Sequence, residues 1–145
     1  MARIEESVQI YRPVKDVFTY TTDAKSWPQW HGDMQDSEQT SPAQVRVDTT
    51  FKGKNRMWAQ TLEWTARVTE YNPYERWRLA IDSGSVIIDE ELRFDPFEEG
   101  TRFTRVYDVK VGGFLRVLTS RIISSLRNQF KQDVSTLKRV LEAQS

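Results

Sequence analysis

From Thr49 to Lys110 apolar and polar residues take turns along the chain, and after Gly112 that rhythm of two gives way to steps of three and four. In the first region Trp58, Gln60, Leu62, Trp64, Ala66 and Val68 alternate with Ala59, Thr61, Glu63, Thr65, Arg67 and Thr69. Asn72-Pro73 turns the chain, and Trp77, Leu79 and Ile81 form the next apolar row. After Asp82-Ser83-Gly84-Ser85, the row Val86, Ile88, Glu90, Leu92 and Phe94 opposes Ile87, Asp89, Glu91 and Arg93. A hairpin from Asp95-Pro96 through Gly100 then leads to Phe103, Arg105, Tyr107 and Val109. With a short strand at Thr49 to Lys54 in front, the pattern predicts an antiparallel meander with one apolar face.

In the second region Leu115, Leu118, Ile122, Leu126, Phe130, Val134, Leu137 and Leu141 form a single stripe. This predicts one amphipathic helix from Gly112 to Gln144, about 45 Å long, with basic residues on its wet side. The steps do not repeat as heptads, so the cover for this stripe is the sheet of the same chain and not a coiled-coil partner. Before the meander, Ile4 to Ile10 reads as a strand. Pro13 opens a short helix bearing Val14, Val17 and Phe18, and Ala24 to Trp30 is a second helical or turn segment. Met34 to Thr40 reads as an edge strand closed by Ser41-Pro42.

Composition narrows the function classes. The 145 residues carry 21 basic and 21 acidic side chains, so no overall field favours nucleic acid or an anionic surface. Absence of cysteine removes disulfides, thiol nucleophiles and thiolate metal sites, and suits a reducing compartment. No apolar signal region opens the chain and no run approaches a membrane span, so the expectation is a cytoplasmic protein without stable membrane insertion. Five tryptophans, seven phenylalanines and five tyrosines exceed what packing a domain of this size requires, which points to a lined pocket.

The order of a strand, a helix starting at Pro13 with Val17-Phe18, the segment Trp27-Pro28-Gln29-Trp30, a long meander and a long C-terminal helix resembles the START-like helix-grip superfamily, also called SRPBCC. Within it, the chain is most similar to the polyketide cyclase/dehydrase and lipid-transport branch. The resemblance covers nearly all of residues 1–145 and implies a single α+β domain. Its curved antiparallel sheet would wrap around the C-terminal helix and enclose a cavity for a hydrophobic or aromatic molecule.

Three polar residues interrupt the inward rows: Gln60, Glu90 and Arg105. A buried charge requires a partner, so Glu90 and Arg105 on successive strands either form a structural ion pair or serve a ligand. In the second case Arg105 orients a carbonyl, carboxylate or enolate, Glu90 orients Arg105 or accepts a proton, and Tyr107 adds a hydroxyl. Trp58, Trp64, Trp77 and Leu79 are expected to wall the cavity, with Trp30 at its mouth and Leu118, Ile122 and Leu126 opposite. His31 is the only histidine, which excludes multi-histidine metal sites; a surface or capping role is expected for it. Asp33, Asp36 and Glu38 lack calcium-loop spacing, and no phosphate loop or nucleophile elbow is present. The leading expectation is a carrier for a hydrophobic small molecule or lipid, with no cofactor, metal or nucleic acid. The alternatives are a cyclase/aromatase-type enzyme using the same cavity and an accessory protein-interaction module.

Overall fold

A single antiparallel sheet of seven strands, in the order β1-β7-β6-β5-β4-β3-β2, organises the computed structural model, which describes residues 2–57 and 60–144, Met57 through its backbone only. The strands are β1 (Ala2–Ile10), β2 (Met34–Gln39), β3 (Thr50–Met57), β4 (Gln60–Asn72), β5 (Arg76–Asp82), β6 (Val86–Phe97) and β7 (Gly100–Val111). Between β1 and β2 lie α1 (Val14–Thr22), a 3₁₀ turn (Ala24–Ser26) and the one-turn α2 (Trp27–Trp30). After β7 come a second 3₁₀ turn (Gly113–Leu118) and α3 (Thr119–Glu142). The first strand pairs with the last, Ile4 opposite Tyr107 and Val8 opposite Phe103, so only β1 and β2 remain as edges. This is the helix-grip arrangement.

Alternation in the sequence becomes alternation of burial. Trp64, Ala66 and Val68 are buried while Glu63, Thr65, Arg67 and Thr69 are exposed. At Gly53 a missing side chain is required: it faces Trp64 across the ladder, and a Cβ there would stand 2.3 Å from the indole. The ring thus lies over β3 and its Nε1 donates to Asn55 Oδ1 at 2.7 Å. A register shift between Val68 and Glu70 then brings Tyr71 opposite Trp77.

Three expectations change. The stripe from Leu115 to Leu141 is not one α-helix: its first turn is 3₁₀, and α3 proper starts at Thr119. Leu115 and Leu118 are three apart, a spacing that fits both helix types, so the series cannot separate them. The hairpin expected from Asp95-Pro96 through Gly100 forms with a tighter turn: Asp95 and Pro96 stay in the ladder, Pro96 opposite Thr101, and the chain reverses between Phe97 and Gly100. The edge strand also ends at Gln39, one residue early.

The core has two halves. One gathers Phe18, Trp27, Trp30, Phe51, Trp77, Phe94, Phe103, Val134, Leu137 and Leu141; the other gathers Ile4, Val86, Val109, Val111, Ile122 and Phe130. On β7 the boundary falls between Phe103 and Val109, on β6 between Leu92 and Val86, and on α3 between Phe130 and Val134. What stands at that boundary is polar.

Candidate functional site

Arg105 occupies the boundary on β7, with 2% of its surface exposed. Its Nε donates to Glu90 Oε2 at 2.6 Å, and Nη2 donates to His31 Nε2 at 2.8 Å and to the Tyr107 hydroxyl oxygen at 2.7 Å. Nη1 stands 3.7 Å from Asp133 Oδ2 and has no hydrogen-bond partner among the described residues. The rings of Phe130, Tyr107 and Trp30 lie 4.4, 4.7 and 5.2 Å from the guanidinium carbon. Removing two such charges from water costs several kcal/mol per ion, offset here by short charge-assisted bonds and aromatic faces.

Three separate elements deliver these partners. Pairing of β6 with β7 puts Glu90 opposite Tyr107 and diagonal to Arg105. The single turn of α2 presents His31, whose Nδ1 sits 2.9 Å from the Trp27 carbonyl. That nitrogen is therefore the donor, which leaves Nε2 as the acceptor for Arg105. On α3, Asp133 accepts from Gly32 N at 2.9 Å and from Gln129 Nε2 at 2.8 Å, tying the long helix to the segment after α2.

The charges follow from burial. Desolvation, reinforced by the Arg105 cation, holds His31 well below its ordinary range, so the ring is neutral. Desolvation likewise pushes Tyr107 well up and keeps it a phenol, although Arg105 opposes this. Burial pulls Arg105 down, but Tyr107, Glu90 and Asp133 outweigh it and the guanidinium keeps its charge. Asp133 and Asp33 are both raised by desolvation, partly offset at Asp133 by Arg105, Gly32 and Gln129 and at Asp33 by Asn55 and Arg105.

Above this cluster lies a cavity of about 100 Å³ between the sheet and α3. A single water needs about 10–15 Å³ by this kind of measure, and an engineered cavity of about 150 Å³ accepts benzene. The space therefore matches one ring or a short chain, below the roughly 300–1,000 Å³ of pockets for larger ligands. Its wall includes the expected Trp64, Trp77, Leu79, Glu90, Arg105, Tyr107 and Leu126.

Other expected residues fall elsewhere. Trp30 lines the cavity from deep inside, fully buried, and does not stand at a mouth. Gln60 continues the inward row but is the first residue of β4 and is exposed. Leu118 and Ile122 pack in the second half of the core and are not part of the wall. Trp58 lies outside the described residues. His31, expected in a surface or capping role, does cap α2, its backbone N–H donating to the Trp27 carbonyl, but it is buried and bound to Arg105.

Asp133 and Asp33 belong to the wall and were missed. Asp133 had a signal: it falls three residues after Phe130 and four before Leu137, an acid on the apolar stripe. Among the described residues no group of three or more histidine, cysteine or acidic side chains is arranged to hold a metal ion.

The family described as polyketide cyclase / dehydrase and lipid transport matches residues 1–142. The chain belongs to this family. Among curated proteins none has a sequence that matches significantly. The fold recurs in the ZhuI aromatase/cyclase of Streptomyces sp. R1128, at TM-score 0.85 and 11% identity over 97% of this chain and 93% of that one. A Thermus thermophilus protein, TTHA0849, gives a TM-score of 0.81 at 14% identity over 98% of both chains. In the di-domain aromatase/cyclase BexL of the BE-7585A biosynthetic pathway, 51% of the chain is covered, at TM-score 0.76 and 16% identity. At such identities the likeness is one of fold, and for this family the fold leaves ligand and chemistry to the individual site.

Proposed function

We propose that the protein binds a small neutral molecule, an apolar ring or short chain bearing a carbonyl or similar acceptor oxygen, between the sheet and α3. One observation carries this reading. Four buried polar side-chain atoms lack a partner among the described residues, and three of them, Trp30 Nε1, Trp77 Nε1 and Arg105 Nη1, belong to residues of the cavity wall. All three are donors. A buried donor left unpaired costs about 1–3 kcal/mol, so a ligand that supplies acceptors to these groups gains from each bond it completes. Tyr107 accepts from Arg105, which frees its own hydroxyl proton to donate as well.

Charge separates neutral ligands from anions. Glu90, Asp33 and Asp133 stand in the same wall, and Arg105 is already paired with Glu90, so a carboxylate ligand would meet more repulsion than attraction. Calorimetric titration with acetophenone, ethylbenzene and benzoate tests the reading. Acetophenone is expected to bind at least about fivefold more tightly than ethylbenzene, the value of one net hydrogen bond, with benzoate weakest. Equal binding of the ketone and the hydrocarbon, or preference for benzoate, would defeat it.

A second reading makes the same cavity an enzyme. It is favoured by Asp133 and Asp33, whose raised affinity for protons suits a base that accepts a proton from carbon beside a carbonyl held by Arg105 and Tyr107. Cyclisation of a short β-diketo thioester that disappears in Asp133→Asn, with binding of the thioester retained, would select this reading over simple carriage.

A further inference from the structure

The 3₁₀ turn Gly113–Leu118 buries none of its residues. Phe114 is 85% exposed and Val117 89%, whereas the other exposed large hydrophobic residues range from 41% to 50%. Residues three apart eclipse in a 3₁₀ turn, so these two side chains project from one side. Leu115 and Leu118 point the other way and pack against the second half of the core. The turn is thus amphipathic, with its inner pair anchored and its outer pair uncovered.

Along the segment that carries the turn, charge is one-sided. Residues 110–132 carry Lys110, Arg116, Arg121, Arg127 and Lys131 and not one acid, in a chain whose net charge is zero. All five are exposed. None takes part in an ion pair of the described residues.

We propose that the Phe114-Val117 tip, with the basic residues along its segment, docks the protein on an anionic lipid surface. The apolar pair enters the headgroup boundary and the basic side chains meet the lipid charge. A second copy of the chain is a poor occupant, because a two-fold contact places this basic patch against itself. Two side chains are also far short of the roughly 800 Å² per partner of a standard protein interface, whereas a bilayer demands no shape complementarity.

The tip also has a place in the architecture. Gly112 N donates to the Ser85 carbonyl at 2.7 Å, and Ser83 and Val86 of that same hairpin line the cavity. Docking therefore brings the rim of the cavity to the lipid. The proposal stands whatever the cavity holds, and its test uses the full chain without ligand.

Sedimentation with phosphatidylcholine vesicles and with vesicles containing about one-third phosphatidylserine is the experiment. Partitioning onto the anionic vesicles is expected to exceed that onto neutral ones by at least about tenfold and to fall steeply with added salt. The exposed-site variant F114S/V117S should lose about tenfold in partitioning while keeping its melting temperature. Wild-type protein that stays in solution with both vesicles overturns the proposal, as does a double variant that sediments like the wild type. Sedimentation equilibrium showing a dimer that F114S/V117S dissolves, without vesicle binding, assigns the tip to self-association instead.

Discussion

Two arginine–carboxylate clusters occupy opposite faces of the same sheet, meeting only at β6, and live under different physics. On the outer face Glu70, Arg76, Arg78 and Glu91 form a ladder across β4, β5 and β6, with N–O distances of 2.7 to 3.5 Å. On the inner face Arg105, Glu90, His31, Tyr107 and Asp133 form a cluster of comparable distances. Glu70, Arg76 and Arg78 keep 32 to 42% of their side chains in solvent and lose little when a partner goes, while the covered Glu91, 8% exposed, is held by both arginines. The inner arginine has no water to turn to. The same residue types are therefore a solvated surface on one side and, on the other, a fixed set of donors beside a cavity.

The contrast breaks most readily at Arg105. Arg105→Leu leaves Glu90 buried and unpaired and is expected to cost about 3–5 kcal/mol in urea unfolding, a large share of the roughly 5–15 kcal/mol that holds a domain folded. A loss under about 1 kcal/mol would mean that water reaches the inner cluster. Combining it with Glu90→Leu removes both charges, and most of the lost stability should return, because a well-packed apolar pair often equals a buried ion pair. Failure of the double variant to recover would show that His31, Tyr107 and Asp133 depend on the guanidinium as well.

A smaller effect comes with acid. His31 has a lowered affinity for protons in the folded state, so below its ordinary value of 6.5 the unfolded chain binds a proton that the folded chain refuses. Its contribution is complete above about pH 6.5 and is lost as the pH falls, by at most about 1.4 kcal/mol per unit. Asp33 and Asp133, raised by burial, act in the opposite sense: the folded state holds their protons more tightly, so they add stability as the pH falls through their raised values towards 3.8. Melting curves of wild type and His31→Gln between pH 7.5 and 5, at roughly half-unit steps, isolate the histidine. The wild type should lose the larger share of stability; parallel curves would contradict a buried neutral ring.

The smallest effect belongs to the outer ladder. Arg78→Ala is expected to cost no more than about 1 kcal/mol, and the difference should fade in about 0.5 M salt. A loss rivalling that at Arg105 would erase the distinction between the two faces.

Much of the fold is legible along the chain because burial repeats with the geometry of each element. The rows on β4 to β7 and the stripe on α3 announce themselves at periods that only a strand or a helix produces. Glu90 and Arg105 were legible for the same reason, as charges in rows that are otherwise apolar. Asp133 breaks its stripe in the same manner, but it stands next to Val134, which completes the step of four from Phe130, so the row reads as unbroken without it. His31 belongs to no periodic element; a one-turn helix has no second turn to reveal its inner face. Gln60, Leu118 and Ile122 lie on the correct face but outside the cavity, since a period fixes direction and not how far the opposing element extends.

What the sequence by itself determined is which side of each element turns inward, since that choice depends on the local alternation of solvation preference. It also determined that Arg105 and Glu90, inward on neighbouring strands, needed either each other or a ligand. Only the tertiary structure decided that His31 and Asp133 join them from 74 and 28 residues away in the chain, one from each side of the meander. The guanidinium has more donors than one carboxylate can satisfy, and which groups fill the rest depends on where α2 and α3 come to lie against the sheet. The cavity belongs to the same category: its size is the difference between two packed surfaces, a quantity carried by no single stretch of chain.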